Sequence, residues 1–247
     1  DTCTKSCSAK ISASIGEITV GGVVKGAGMI QPNMATMLAF LTTDVSATNA
    51  ELQAILTNAV NKSFNRITID GDMSTNDTVL LMANGNAGIE LSKESKKFQA
   101  DFAKAVHTVC AELARKCVSD GEKVTKFVKM KVTGASTTED AEKVARCVAN
   151  SLLVKSSWYG SDPNWGRIID AAGYAKVGMD FNKVDLDYND IPALKKGEPI
   201  VGNKSQWKEI VSAKQFTITL NLNQGDAEGE IWTNDLSEEY VNFNKSE

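Results

Sequence analysis

The sequence predicts a mixed α/β protein. Some runs alternate apolar and polar residues with period two, which is typical of strands, whereas others carry helix-capping residues and an apolar face of period 3.6. The two kinds of element do not alternate strictly along the chain. A doubly wound parallel sheet requires regular alternation, so we expect mixed sheets with helices packed on them.

The first half of the chain supplies strands and two long helices. Residues 8–24 and 37–44 are predicted strands, and the runs 66–70 and 78–84 predict two more around a polar loop. Thr48 and Glu51 form a capping box, which predicts a helix over 49–63. A longer helix is predicted over 94–118. Its inner face consists of Phe98, Phe102, Val106, Val109, Leu113 and Cys117.

A new predicted strand and helix follow the long helix after Gly121, which is therefore the best candidate domain boundary. Residues 124–135 alternate with period two and predict a strand. Ser136 and Glu139 have capping-box spacing before an apolar helix, and Asp162 with Pro163 predicts another helix start. The last sixty residues return to strands, most clearly at 215–223 and 230–235.

Composition excludes several classes of protein. The chain has 247 residues, 42% of them hydrophobic, and a net charge of -4, so it can bury a core but offers no basic surface for nucleic acid. Its apolar runs are too short to cross a membrane. Because residue 1 is Asp and no signal core follows, we expect the chain to begin inside a longer product. Five cysteines without a C-x-x-C pair suit reduced thiols, with Cys110, Cys117 and Cys147 in helical core positions.

The sequence gives little support for a metal site or for a catalytic histidine. The single histidine, His107, lies within a predicted helix, which weakens any histidine-based triad. No zinc motif is present. The loop 70–77, DGDMSTND, has the acidic start of a calcium loop, but Thr75 stands where glycine is needed and Leu81 occupies the twelfth position. We therefore expect no metal site.

The stretch KGAGMIQPNMATMLAF, residues 25–40, places one hydroxyl, Thr36, in a largely apolar run. A threonine hydroxyl is a weak nucleophile unless a base removes its proton, and the α-amine of an amino-terminal threonine can do so. At pH 7 roughly one α-amine in ten is neutral, against fewer than about one lysine in a thousand. Use of that base requires cleavage between Ala35 and Thr36. By composition alone, a buried structural threonine is the favoured interpretation.

Four long blocks change that interpretation. KGAGMIQPNMATMLAFLTTD, FNRITIDGDMSTNDTVLLMANG, SDPNWGRIIDAAGYA and the strand-rich tail resemble the ornithine acetyltransferase family, the self-cleaving glutamate N-acetyltransferases of arginine biosynthesis, in the same order. The resemblance covers essentially the whole chain.

The resemblance implies a precursor that cleaves itself between Ala35 and Thr36. Thr36 would then take the acetyl group from N2-acetylornithine as an ester and pass it to glutamate. It also implies a layered α/β/β/α sandwich over residues 1–121, which bears the nucleophile, and a second, smaller α/β domain over 122–247. The fragments would assemble as a two-plus-two heterotetramer, with no nucleic-acid or membrane partner, in the cytoplasm or, in a eukaryote, the mitochondrial matrix.

Three further residues match the family's substrate-binding positions. Lys25 matches a lysine suited to a substrate carboxylate, and Glu122 matches a contact of the substrate amino group. Asn244 matches the asparagine of the family's terminal substrate-binding segment. Lys123 departs from the pattern, which has glycine there. The family's oxyanion donors, a threonine and a glycine, and another substrate-binding threonine correspond to positions upstream of Asp1, and the family's terminal Ser or Thr lies beyond Glu247.

Several alternatives stay open at this point. No cofactor is implied, but some members of the family accept acetyl-CoA as a donor. A self-cleaving amidase or aminopeptidase of the same fold is a second hypothesis. The third is a non-catalytic truncated fragment that binds acetylated amino acids, because one missing oxyanion donor typically lowers a rate about a hundred- to thousandfold.

Overall fold

A computed structural model describes residues 1–31 and 37–245. The chain divides into two compact units, Asp1–Asp120 and Gly121–Glu247, so the division falls one residue before the predicted boundary. Each unit combines a β-sheet with helices packed on it, and the expected α/β class is confirmed. Within this chain the second unit is slightly longer than the first, rather than smaller.

The first unit contains a four-stranded sheet in the order β1-β2-β3-β4. The first three strands pair antiparallel, and β3 pairs parallel with β4. The strands are β1 (Ser6–Ala13), β2 (Gly16–Lys25), β3 (Leu38–Thr43) and β4 (Thr78–Ala83), and the helices are α1 (Asn49–Asn61) and α2 (Lys96–Ser119). The predicted strand 8–24 is therefore a hairpin, β1 and β2.

The inner face of this sheet packs against α2. The six apolar side chains predicted for the buried face of that helix are all buried. Gly22 of β2 permits the close approach, since a Cβ there would lie 2.9 Å from Leu113 Cδ1 and 3.1 Å from Val109 Cγ1. The predicted capping box of Thr48 and Glu51 begins α1.

The outer face of the same sheet carries an exposed apolar row. Val23, Phe40 and Leu80 lie opposite one another on β2, β3 and β4, and each is at least 39% exposed. Met82 extends the row along β4 and is also exposed. A row of this kind on adjacent strands is unusual on a surface that faces only water.

The second unit contains a six-stranded sheet in the order β10-β5-β9-β6-β7-β8. Its strands β5 and β9 are parallel, whereas the other pairs are antiparallel. The strands are β5 (Phe127–Ala135), β6 (Asp185–Tyr188), β7 (Ile191–Lys195), β8 (Glu198–Pro199), β9 (Gln215–Asn221) and β10 (Ala227–Asn234). The helices are α3 (Thr138–Asn150), α4 (Leu152–Tyr159), α5 (Trp165–Gly173), α6 (Lys204–Ser212) and α7 (Glu238–Asn244).

The prediction of a strand over residues 66–70 was wrong. A 3-10 turn, Phe64–Arg66, occupies the start of this run, Ile67 forms an isolated β-bridge, and the residues that follow belong to no strand. Ile69 donates its N–H to Ile30 O at 2.6 Å. The apolar residues Ile67 and Ile69 are buried, so the run satisfies burial without joining a sheet.

Two predicted helix starts were also wrong in detail. Thr137, not Ser136, caps α3 by accepting the Asp140 N–H. Asn164, not Asp162, caps α5 by accepting the Arg167 N–H. In both cases several residues that can cap a helix are adjacent in the sequence. Which of them caps the helix depends on how the helix is rotated to bury its apolar face.

Candidate active site

Lys25 is the last residue of β2 and is exposed. It lies opposite Leu38, the first residue of β3. The predicted nucleophile and cleavage site, Thr36 and Ala35, come between these two residues in the sequence and lie outside the described residues.

A buried charge cluster holds the backbone that follows Lys25. The Lys5 ammonium contacts the carboxylates of Asp1 and Asp120, the latter at 2.6 Å, and donates to Gly26 O at 3.2 Å. Asp1 in turn accepts the Gly26 N–H. Burial by itself raises the pKa of the Asp120 carboxyl, but its bonds from Lys5 and Thr2 outweigh burial and hold that pKa at about 2.

Two aspartates hold the described residues on either side of the predicted cleavage site. Asp70 accepts the N–H groups of Met29 at 2.7 Å and Ile30 at 3.0 Å. Asp77 accepts the N–H of Met37, and the carbonyl of Met37 accepts the Thr78 N–H at 2.9 Å. The sequence analysis considered this loop only as a calcium loop, which it rejected, and did not predict these contacts. The available signal was an acidic loop within a block of the family resemblance.

A cleft of about 190 Å³ opens between α1 and the start of β4. Met37 and Asp77 line it, so it adjoins the residue that follows Thr36 in the chain. The remaining lining is partly apolar and partly amide or hydroxyl: Gln53, Leu56, Thr57, Val60, Asn61, Phe64, Asn65, Thr78 and Val79.

The other two predicted substrate residues meet in the second unit. Asn244, at the end of α7, donates from Nδ2 to Glu122 Oε2 at 3.2 Å. Ser237 caps α7 and also donates to Lys123 O at 2.6 Å, which ties the helix to the loop that bears Glu122. Both Glu122 and Asn244 retain access to solvent. Their roles in substrate binding stay predictions.

The departure at Lys123 has a structural explanation. Its φ is 56°, in the left-handed region that favours glycine, which is the residue of the family pattern. The Lys123 ammonium lies 5.2 Å from the centre of the Phe243 ring. This cation–π contact offsets part of the backbone strain, so the loop keeps the conformation that glycine would adopt.

The SDPNWGRI block serves the packing of the second unit. Asn164 caps α5 and donates to Asp162 Oδ2 at 3.1 Å. The buried ammonium of Lys126 donates to Ser161 Oγ at 2.8 Å and to Val211 O at 2.7 Å, and burial lowers the pKa of this lysine. These contacts give Ser161 and Asn164 a structural role in the second unit.

The described residues form neither a metal-binding cluster nor a membrane-spanning helix. Within residues 1–31 and 37–245, no three His, Cys, Asp or Glu side chains cluster in a way that could hold a metal ion. Among the helices in those ranges, none is long and apolar enough to span a bilayer.

Comparison with known proteins matches nearly the entire chain. The ArgJ family model matches residues 1–246. The arginine biosynthesis bifunctional protein ArgJ of Staphylococcus epidermidis is 43% identical over 245 residues, which are 99% of this chain and 62% of that protein. The ArgJ protein of Symbiobacterium thermophilum is 40% identical over all of this chain and 61% of its own length. The chain thus spans about three-fifths of the length of these relatives.

A solved structure supports the same relationship. The crystal structure of the arginine biosynthesis bifunctional protein ArgJ from Bacillus halodurans superimposes with a TM-score of 0.81 at 39% sequence identity. The match covers 86% of this chain and 100% of that chain. The family model, the relatives and the shared fold agree, and we conclude that the chain belongs to the ArgJ family.

Proposed function

We propose that this chain acts in arginine biosynthesis as a glutamate N-acetyltransferase, with Thr36 as its nucleophile. The observation that carries the proposal is the match to the ArgJ family over residues 1–246, which includes the block around Thr36. The contact between Glu122 and Asn244 adds support, because it joins two residues that are 122 positions apart and that the resemblance assigns to one substrate.

The proposed reaction has two acyl-transfer steps. The Thr36 hydroxyl attacks the acetyl carbonyl of N2-acetylornithine, its proton passes to the free α-amine and from there to the departing nitrogen, and the amide C–N bond breaks to release ornithine. The amine of glutamate then attacks the acetyl-threonine ester and leaves as N-acetylglutamate, while Thr36 regains its proton. Lys25 would bind a substrate carboxylate, and Glu122 would bind the amino group. Acetyl-CoA as an alternative donor belongs to the same proposal.

Cleavage before Thr36 would free the α-amine that serves as base. The proposal therefore requires that the Ala35–Thr36 bond is cut before the first turnover.

We also propose that the chain works in an assembly with further polypeptide, as a two-plus-two heterotetramer in the cytoplasm. The exposed apolar row of Val23, Phe40 and Leu80 supports association, since it would be covered by added chain. Native mass spectrometry of the purified protein tests the stoichiometry: a species of one upstream and one downstream fragment alone would contradict it.

Intact-mass analysis and an acetyl-transfer assay test the function. We expect a fragment that begins at Thr36, and ornithine release from N2-acetylornithine that depends on glutamate. Thr36→Ala should abolish both, whereas Thr42→Ala, an exposed threonine on the neighbouring strand, should change neither. Acetate release at the same rate without glutamate would favour the amidase. Binding of N2-acetylornithine without turnover would favour a non-catalytic role.

A further inference from the structure

Two of the three aspartates in the acidic loop that follows the 3-10 turn bind backbone N–H groups on opposite sides of residues 32–36. Asp70 accepts three backbone N–H groups, from Met29 and Ile30 and, at 3.2 Å, from Asp72. Asp77 is buried and accepts the N–H of Met37. The two carboxylates therefore hold the described ends of the chain on both sides of residues 32–36.

These contacts are of the strong class. A hydrogen bond from a backbone N–H to an ionised carboxylate is roughly twice as strong as a neutral one. The Met37 nitrogen is covalently bonded to the carbonyl carbon of Thr36, so Asp77 fixes the chain at the first atom beyond that residue. On the other side, Ile30 is held twice, through its N–H by Asp70 and through its carbonyl by Ile69.

We propose that Asp70 and Asp77 are positioning residues for self-cleavage between Ala35 and Thr36. The inference rests on the proposed function. In the cleavage, the Thr36 hydroxyl oxygen attacks the Ala35 carbonyl carbon, the peptide C–N bond breaks, and the proton passes to the nitrogen that becomes the Thr36 amine. Water then hydrolyses the resulting ester, which yields the Ala35 carboxylate and restores the hydroxyl.

The reaction depends on geometry because both reacting groups belong to neighbouring residues of one backbone. Near-attack placement of the hydroxyl requires a bent chain, and a displacement of about 1 Å can cost about a hundredfold in rate. Anchors that hold both ends of the segment reduce the conformations available to it. Neither aspartate is assigned a proton-transfer role, and each acts through the backbone that it binds.

The variants are chosen so that each changes the hydrogen bonds that one aspartate accepts. Asp70→Asn keeps one oxygen for Ile30 and Asp72 but presents an amide N–H group to the Met29 N–H, so that bond is lost. Asp77→Asn removes the charge from the bond to Met37. Asp72→Asn is the matched control, because this third aspartate of the loop is exposed and contributes only its backbone N–H to the cluster.

The experiment follows the appearance of the fragment that begins at Thr36 during synthesis of the full chain, sampled by gel and intact mass. We expect Asp70→Asn and Asp77→Asn to slow cleavage about tenfold or more, and Asp72→Asn to cleave at the parental rate. Val106→Ala, which removes two methyl groups from the buried face of α2, separates positioning from general destabilisation and should also cleave at the parental rate.

The outcomes distinguish this inference from the proposed function. A parental chain that never cleaves overturns both. A parental chain that cleaves, with Asp70→Asn and Asp77→Asn cleaving at its rate, overturns only the positioning role. Equal slowing in Val106→Ala would also overturn it, because loss of stability would then explain the effect.

Discussion

Replacement of Asp120 by asparagine tests the buried charge cluster of the first unit. The carboxylate lies 2.6 Å from the Lys5 ammonium, whose side chain is fully buried, and it also accepts the Thr2 N–H at 3.0 Å. Asparagine has nearly the same shape and can still accept from Thr2. The substitution therefore removes mainly the charge.

The pKa of Asp120 sets the size of the effect. It falls from 3.8 to about 2 on folding, and such a shift corresponds to about 2 kcal/mol of stability from the ionised group. Removing one partner of a buried pair costs about 3–5 kcal/mol when the other charge is left alone. Here Lys5 keeps Asp1 as a partner, so we expect the smaller loss, about 2 kcal/mol at pH 7.

The pH dependence follows from the sign of the shift. Because the folded pKa is lower than the unfolded value, the stabilisation is complete above about pH 5 and declines as the pH falls toward 2. About half of it should be gone at pH 3. The difference in unfolding free energy between the parent and Asp120→Asn should shrink accordingly.

The assay must report on the first unit. All four tryptophans and all four tyrosines lie after residue 121, so intrinsic fluorescence follows the second unit. Urea unfolding monitored by hydrogen exchange of peptides from residues 1–120, at pH 7, 5 and 3, measures the relevant free energy. Glu17→Gln is the matched control, because its ion pair with Lys10 is exposed, and it should be indistinguishable from the parent.

Two results would refute this reasoning. Parental stability of Asp120→Asn at pH 7 would mean that the ion pair contributes nothing to the folded state. A deficit that persists undiminished at pH 3 would mean that the loss arises from packing and not from charge.

Two more predictions concern thiols and backbone strain. Burial raises the pKa of the Cys110 and Cys117 thiols to about 12. Iodoacetamide at pH 8 should therefore label the exposed Cys3 of the folded protein and leave Cys110 and Cys117 unlabelled, which mass spectrometry measures. Modification of Cys110 or Cys117 without unfolding would contradict this prediction. Gly134→Ala should lower the unfolding free energy by at least about 2 kcal/mol in a urea titration, because φ there is +64° and a Cβ would lie 2.1 Å from an asparagine oxygen. Gly88→Ala, which has a similar φ but open space, should lose only the smaller strain contribution, and equal losses would exclude the steric explanation.

Much of the local structure could be predicted from the sequence. The buried face of α2, the capping box of α1 and the strands β3, β4, β5, β9 and β10 follow from spacing and residue type. Helices α4, α6 and α7 were not predicted, because all three are short and any apolar periodicity covers only about two turns. The run at 66–70 looked like a strand because burial alone makes the same apolar pattern.

Part of the candidate site could also be predicted from the sequence, and part could not. Family resemblance predicted Lys25, Glu122 and Asn244 as substrate-binding residues, and the contact between the last two is visible only in the fold. The anchoring roles of Asp70 and Asp77 could not be predicted, since each binds a backbone N–H group about 40 residues away and such a bond leaves no local pattern.

By itself, the sequence determined the type of the longer elements, a division of the chain near Gly121 and membership of a family, because these depend on periodicity, on capping chemistry and on long matching blocks. Only the tertiary structure decided which distant groups meet. Lys5 reaches Asp120 across more than 110 residues, and Asn244 reaches Glu122 across 122. The physical reason is that a hydrogen bond or ion pair requires atoms within about 3 Å, and chain folding, rather than spacing along the sequence, brings such atoms together.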